Sequence, residues 1–202
     1  MSGVKRVIDL VKAAFGLLVL SPVLLVVAVL IELEDRGPIF YKGVRVGRDG
    51  KPFRMVKFRT MVVNADRLGG LSTADDDPRI TRIGKRLRSL KLDELPQLFN
   101  VLRGNMSLVG PRPEVPQEVA RYTEEERELL SVRPGITDWA SVRFRDEGAI
   151  LKGSTDPHET YLRVIRPEKM RLGLEYVRDR SLETDMRILA ATLKALVSPR
   201  SR

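Results

Sequence analysis

Ala13-Ala14-Phe15-Gly16-Leu17-Leu18-Val19-Leu20-Ser21-Pro22-Val23-Leu24-Leu25-Val26-Val27-Ala28-Val29-Leu30-Ile31 contains no charge and is almost wholly apolar. As a straight helix rising about 1.5 Å per residue it reaches roughly 28 Å, just enough for a bilayer core of about 30 Å. No small-residue cleavage site follows; Glu32, Glu34 and Asp35 come next, which argues against a removable signal peptide. Ser21-Pro22 sits at the middle of the run. Proline removes a backbone donor and crowds the preceding turn, at a cost of about 3 kcal/mol in a helix interior. A serine hydroxyl beside it can bond a freed carbonyl. Two topologies follow: a proline-kinked spanning helix, whose neighbours satisfy the freed groups, or a re-entrant helix broken at Ser21-Pro22. Lys5, Arg6 and Lys12 precede the run, and Arg36, Lys42, Arg45, Arg48 and Lys51 follow it. Positive charge at both ends leaves the positive-inside rule without a preferred orientation.

The rest of the 202-residue chain is long enough for one ordinary domain with its own core. A net charge of +9 points to an anionic partner: nucleic acid, an anionic lipid surface or a phosphorylated substrate. With no cysteine and a single histidine, His158, the chain has no disulfide, no thiolate chemistry and no histidine-rich metal site. Acids, bases and nucleophiles must come mainly from carboxylates, hydroxyls and lysines.

Ile39-Phe40-Tyr41 with Val44 and Val46, the turn Gly47-Arg48-Asp49-Gly50, and a return through Phe53, Met55 and Val56 predict a β-hairpin. Asp66 to Pro78 reads as a polar loop. Its Asp75-Asp76-Asp77 run is taken as solvated and ending in a helix cap rather than as a metal site. Ile80, Ile83, Leu87 and Leu90 recur at helical spacing among Arg79, Arg82, Lys85, Arg86 and Arg88. A second helix through Leu95, Leu98, Phe99 and Leu102 stops at Gly104. A charged helix is expected over 117–130, and one or two more over 172–196. The fold class is therefore α+β and mainly helical: a membrane helix over 1–36 and a domain of amphipathic helices with a short hairpin over 37–202.

Asp93-Glu94 lies between two amphipathic stretches, where a carboxylate commonly caps a helix. Gly110-Pro111-Arg112-Pro113 and Arg133-Pro134-Gly135 place rigidly held arginines downstream. Arginine's planar fork matches phosphate oxygens, and flanking prolines hold it with little entropy left to lose. Paired carboxylates with such arginines suit phosphoryl transfer assisted by a hard cation such as Mg²⁺.

Phe58-Arg59-Thr60-Met61, then Leu92-Asp93-Glu94-Leu95-Pro96-Gln97-Leu98-Phe99-Asn100-Val101-Leu102-Arg103-Gly104, then Met106-Ser107-Leu108-Val109-Gly110-Pro111-Arg112-Pro113, then Arg133-Pro134-Gly135-Ile136-Thr137 closely resemble the bacterial sugar transferases. The likeness is to the small monotopic phosphoglycosyl transferases and extends over roughly residues 5 to 190. It implies a re-entrant membrane helix at the Ser21-Pro22 break and a place on the cytoplasmic face of the bacterial inner membrane. It also implies a ping-pong transfer of sugar 1-phosphate from a UDP-sugar to polyprenyl (undecaprenyl) phosphate, with release of UMP, as the first membrane step of glycan assembly. On that likeness Asp93 is the nucleophile and Glu94 the Mg²⁺ ligand. Arg59, Arg88 and Arg112 line the phosphate site, with Arg133 joining them, while Lys5 and Arg6 lie near lipid headgroups or the polyprenyl phosphate.

The sequence departs from the family pattern at Asp138-Trp139-Ala140-Ser141, where glycine and a nearby glutamine are common, and at Lys91, where serine is common. Residues 136–148 thereby become candidate sugar determinants. Trp139 reads as a core residue, an interfacial anchor or a sugar contact, and His158 as incidental. A nucleic-acid binder and a membrane scaffold holding anionic lipids are the competing classes. The membrane run and the acidic dyad argue against nucleic acid, and homodimerisation stays open.

Overall fold

The computed structural model describes residues 2–70 and 72–198. Helix α1 runs from Ser2 to Asp35 with Pro22 inside it. The break expected at Ser21-Pro22 is therefore not an interruption of helical conformation, and one local bond explains how. Pro22 cannot donate to the carbonyl of Leu18, one helical turn back, and the Ser21 hydroxyl donates to that carbonyl instead, at 2.8 Å.

Helix α1 is long and apolar enough, by length and composition, to cross a membrane. One stripe of it packs on the rest of the molecule: Ala13, Leu17 and Leu20 against Leu98 and Met106, then Leu24, Val27 and Ile31 against Phe58 and Leu87. The other faces leave Phe15, Leu18, Val19, Leu25, Val26 and Val29 exposed, an apolar surface far larger than a protein in water tolerates. Both ends are tied to the same body. Near the N-terminus Lys5 pairs with Asp185 at 2.5 Å, and buried Asp9 accepts from the Ser107 hydroxyl at 2.7 Å. At the far end Glu34 accepts the Ile83 N–H at 3.0 Å, and Asp35 pairs with Arg59.

Strands β1 (Phe40–Val46) and β2 (Pro52–Phe58) form the expected antiparallel hairpin, in register from Phe40↔Phe58 to Val46↔Pro52. Its turn places Asp49 and Gly50 in the left-handed region, which aspartate and glycine tolerate. Helix α2 (Arg82–Ser89) is capped by Thr81, whose side chain accepts from the Gly84 N–H at 2.9 Å. In the loop before it Asp77 clasps Arg79, Asp75 donates its N–H to the Gly148 carbonyl, and Asp76 accepts from the Gly153 N–H. The triple aspartate thus knits a loop, and the cap it was expected to provide falls to Thr81.

Helix α3 (Gln97–Leu102) ends at Gly104, whose φ is +84°. Strand β3 (Ser107–Val109) pairs in parallel with β4 (Gly135–Thr137), an element the hydrophobic pattern did not disclose. Gly110 and Gly135 lie so close that neither could carry a Cβ without meeting the other's backbone. The single helix expected over 117–130 is two pieces, α4 (Pro116–Val119) and a 3₁₀ stretch, Glu126–Ser131. Thr123 and Glu126 bond each other's backbone N–H reciprocally, and this capping box restarts the chain. Short helices α5 (Trp139–Arg143), α6 (Glu147–Leu151) and α7 (Pro157–Thr160) follow. Two longer ones, α8 (Arg166–Asp179) and α9 (Leu182–Val197), close the molecule. The chain is mainly helical, with two small two-stranded sheets.

Candidate active site

Lys91 leaves α2 in the left-handed region, φ 57° and ψ 20°, at a cost of about 1 kcal/mol for a residue with a side chain. The chain then makes one 3₁₀ turn, Leu92–Glu94, before Leu95-Pro96 opens α3. Leu92 packs in the cluster with Val27, Ile31 and Phe58, so the turn is anchored against the membrane helix and the hairpin at once. Buried Asn100 fixes the other side. Its amide donates to the Arg54 carbonyl at 2.8 Å and accepts from the Val56 N–H at 2.9 Å, which holds β2 against α3.

That arrangement brings Lys57 of β2 to the dyad. Glu94 accepts from Lys57 Nζ at 3.0 Å on Oε1 and from both terminal nitrogens of Arg112, Nη1 at 3.1 Å on Oε2 and Nη2 on Oε1. Pro111 and Pro113 frame Arg112, whose Nη1 also reaches the Ile136 carbonyl at 3.4 Å. Asp93 is different. It is 7% exposed, and Lys57, Arg88 and Lys91 pull on it electrostatically.

The two neighbouring carboxyls are pushed apart electrostatically. Burial raises the Asp93 pKa, against the pull of Lys57 and with a further push from Glu94. Burial would raise Glu94 too, but Arg112 and Lys57 overcome it and hold that carboxyl well below the usual range. Lys57 is lowered by desolvation, partly restored by Glu94, and Arg112 is raised by Glu94 despite its burial. A pair of acids driven in opposite directions is a common signature of divided roles. Here the two differ in surroundings as well: Glu94 is clamped by Arg112 and Lys57, and Asp93 is not.

The residues expected at the phosphate site part company. Arg88 and Arg112 are with the dyad. Arg59 is engaged away from the dyad: Nε donates to the Pro38 carbonyl at 2.5 Å, Nη1 to the Met61 carbonyl at 3.3 Å, and both terminal nitrogens to Asp35. It locks the end of α1 to the end of β2. Arg133 donates to the Gly104 carbonyl at 3.0 Å and faces Arg6, which donates to the Leu102 carbonyl at 3.3 Å. These two form a separate basic group near the N-terminus of α1, whereas the dyad's turn packs against its second half. Lys5 is engaged by Asp185 and the Val109 carbonyl. Lys57 was missed, because the hairpin's return strand was read only as far as Val56; a lone lysine between Val56 and Phe58 was its signal.

The departures from the family pattern have local explanations. Asp138 caps α5, accepting from the Ser141 N–H at 2.6 Å, and Trp139 packs beside Val109, Tyr176 and Ile188. His158 is not incidental, since it bridges the Ser72 hydroxyl (3.1 Å) and buried Glu118 (3.5 Å).

For Mg²⁺, the donor chemistry fits. The ion is ordinarily held by one or two carboxylates, with substrate phosphates and waters completing the shell; Asp93 and Glu94 supply adjacent hard oxygens, and Glu94 would exchange part of its Lys57 or Arg112 contact for the ion. Among the described residues no group of three or more acids or histidines forms a ready-made cage.

A family model described as bacterial sugar transferase matches residues 1–199. An uncharacterized sugar transferase of Bacillus subtilis, EpsL, is 38% identical over 195 residues, covering 96% of this chain and 88% of that protein. The UDP-N-acetylgalactosamine-undecaprenyl-phosphate N-acetylgalactosaminephosphotransferase of Aeromonas hydrophila is 36% identical over 198 residues, 96% of this chain and 44% of that one. The UDP-glucose:undecaprenyl-phosphate glucose-1-phosphate transferase of Escherichia coli is 36% identical over 204 residues, 96% of this chain and 41% of that one. The chain therefore spans less than half the length of the last two.

Proposed function

The chain belongs to the bacterial sugar transferase family, and from that premise we propose that it transfers a sugar 1-phosphate from a UDP-sugar to polyprenyl phosphate through a covalent intermediate on Asp93. The observation that carries this reading is the contrast within the dyad, Asp93 buried with its pKa raised beside Glu94 gripped by Arg112 and Lys57. An Asp93 oxygen attacks the β-phosphorus of the donor. A new phosphorus–oxygen bond forms as the bond to the bridging oxygen breaks, and UMP leaves with that oxygen. An oxygen of the polyprenyl phosphate then attacks the same phosphorus and releases Asp93 as a carboxylate. The sugar's anomeric bond is not touched.

Attack by one anion on another needs positive charge around it. Arg112 and Lys57 supply it at contact distance, Arg88 at longer range. Asp93 and Glu94 would hold Mg²⁺, whose chemistry there would be to neutralise phosphate charge.

The reading extends to topology. Each end of α1 is hydrogen-bonded to one and the same polar body, which supports both ends lying on one side of the bilayer. This favours a re-entrant helix on the cytoplasmic face of the inner membrane, with residues 37–202 as the cytoplasmic catalytic domain, over a membrane-spanning α1.

The test is UMP release from a panel of UDP-sugars by the purified, lipid-reconstituted protein with undecaprenyl phosphate, with Mg²⁺ or with chelator. Release from at least one donor, abolished by chelation, is expected. A folded, membrane-bound protein that releases no UMP from any donor contradicts the proposal.

A further inference from the structure

One face of the hairpin carries a tyrosine, a glycine and an arginine that the transfer step leaves unused. The register pairs Tyr41 with Lys57, Gly43 with Met55 and Arg45 with Phe53. Side chains alternate along a strand, and directly opposed residues of an antiparallel pair share a face. Tyr41, Gly43 and Arg45 therefore stand on the face from which Lys57 reaches Glu94.

Position 43 has to be small. A Cβ there would come within 2.8 Å of Tyr41 Cε1, 3.0 Å of its hydroxyl and 3.1 Å of Arg45 Nη1. The phenol ring and the guanidinium fold toward each other over the bare backbone of Gly43. Tyr41 donates to Asp66 at 3.3 Å, which fixes the hydroxyl end while the side chain stays at the surface, 36% exposed. Arg45 uses one donor on the adjacent Val44 carbonyl, at 2.9 Å. Burial disfavours its charge, which the Tyr41 hydroxyl at its side offsets most; among the described residues it forms no ion pair, Glu114 and Asp66 attracting it from beyond contact and Arg112 repelling it. A partly buried guanidinium within the field of another guanidinium and without an ion pair at contact is unfavourable by itself, and it is the setting in which an anion binds well.

We propose that Tyr41, Gly43 and Arg45 form the subsite for the departing nucleotide, with the base stacked on Tyr41 and the α-phosphate on Arg45 while Arg112 keeps the transferred β-phosphate. This rests on the UDP-sugar reading above and adds to it where the nucleotide half of the donor lies. The two phosphates share one bridging oxygen, so a donor whose β-phosphorus meets Asp93 must set its α-phosphate immediately alongside. Arg45, within the field of Arg112, is the cation in that direction, and a planar fork suits a phosphate there. When the bridging bond breaks, the negative charge it releases goes to the phosphate of UMP, which Arg45 then stabilises. A base has an aromatic face to rest on one residue pair away, and such stacking is tolerant of base identity.

The test is UMP binding to the reconstituted enzyme by calorimetry, alongside donor kinetics and the second half-reaction from preformed adduct. Arg45→Gln and Tyr41→Ala should each weaken UMP binding and donor kcat/KM about tenfold, and Tyr41→Phe should stay within about threefold. Transfer from the adduct to polyprenyl phosphate involves no nucleotide and should proceed at the wild-type rate in all three. Gly43→Ala removes neither group but forces them apart, and should also weaken UMP, which keeps the assignment testable if Tyr41→Ala fails to fold. If the wild type binds UMP and turns over while Arg45→Gln and Gly43→Ala bind UMP as tightly as it does, the subsite is wrong and the transfer reading stands. If the wild type neither binds UMP nor releases it from any UDP-sugar, both fall together.

Discussion

Arg59 and Arg112 each hold a carboxylate in a two-pronged grip, yet the regions around them differ in one respect. At Arg59 every group is matched: Asp35 takes both terminal nitrogens, and the Pro38 and Met61 carbonyls take the remaining reach. At Arg112 there is a surplus. Lys57 shares the same Glu94, and Asp93 sits alongside, buried and outside that grip. A closed pair fastens two elements; a pair with an unmatched neighbour of each sign has charge left over for a ligand. Equally recognisable motifs can therefore hold one arginine closed on its partners and one with unmatched charge beside it.

The sharpest way to separate the two regions is at Asp93. Asp93→Asn should lower turnover by several orders of magnitude, since the amide is no nucleophile. Stability should not fall with it. Burial raises the Asp93 pKa in the folded state, so ionised Asp93 disfavours folding at neutral pH, and the asparagine variant should melt at the same temperature or higher. The sign gives a pH signature. The wild type regains that stability as it is acidified through the folded-state pKa, and the gap should close below the ordinary aspartate value of about 3.9. A variant that melts well below the wild type at pH 7 contradicts this.

The arginines should then diverge. Arg112→Lys keeps a charge but loses the fork, and turnover should drop about 10²- to 10³-fold. Arg59→Ala removes the hydrogen bonds that tie the Pro38 and Met61 carbonyls and exposed Asp35 together, and should cost about 1–2 kcal/mol in chemical denaturation, with the kcat/KM of the enzyme that remains folded within about tenfold of wild type. Loss of turnover without loss of stability in Arg59→Ala would return Arg59 to the phosphate site.

A smaller effect is expected in the pH–rate profile. The acid limb of donor kcat/KM should lie above the usual aspartate range, because the nucleophile must be ionised and burial raises it. Glu94, held well below that range by Arg112 and Lys57, should not contribute to the limb. A limb at or below the ordinary aspartate value would remove the electrostatic contrast between the two carboxyls.

The smallest effects concern the membrane helix. Single cysteines at Gly3 and Arg48 should both label from the cytoplasmic side, and labelling on opposite sides would overturn the re-entrant topology. Ser21→Ala strands the Leu18 carbonyl and should cost about 1 kcal/mol. Pro22→Ala restores the backbone donor and should make Ser21→Ala nearly silent in its background.

How legible this was in the sequence depended on whether a feature was local. The hairpin could be read because Gly47-Arg48-Asp49-Gly50 carries its own turn chemistry, and α3 because Gly104 stops it. The Ser21 bond to a freed carbonyl was foreseeable from a dipeptide. The β3–β4 pair was not, since three residues are too few for alternation to register and the partner lies far along the chain. The charges over 117–130 concealed a capping box that only the Thr123–Glu126 spacing could betray. The dyad was prominent as a motif, but its asymmetry depends on Lys57, which reaches Glu94 from another element. Arg59's pairing was hidden for the same reason: nothing in Phe58-Arg59-Thr60-Met61 discloses that Asp35, across the hairpin's entry, pairs with it.

The central claim is that Asp93 carries the sugar phosphate, and intact-mass analysis tests it most directly. Enzyme with Mg²⁺ and its UDP-sugar, but no polyprenyl phosphate, should release UMP in a burst no larger than the enzyme concentration. The protein should gain one sugar-phosphate mass, located on the peptide containing Asp93, labile to hydroxylamine and absent from Asp93→Asn. UMP release only after polyprenyl phosphate is added, with no adduct trapped, would contradict the account and make Asp93 a base or a metal ligand in a direct transfer.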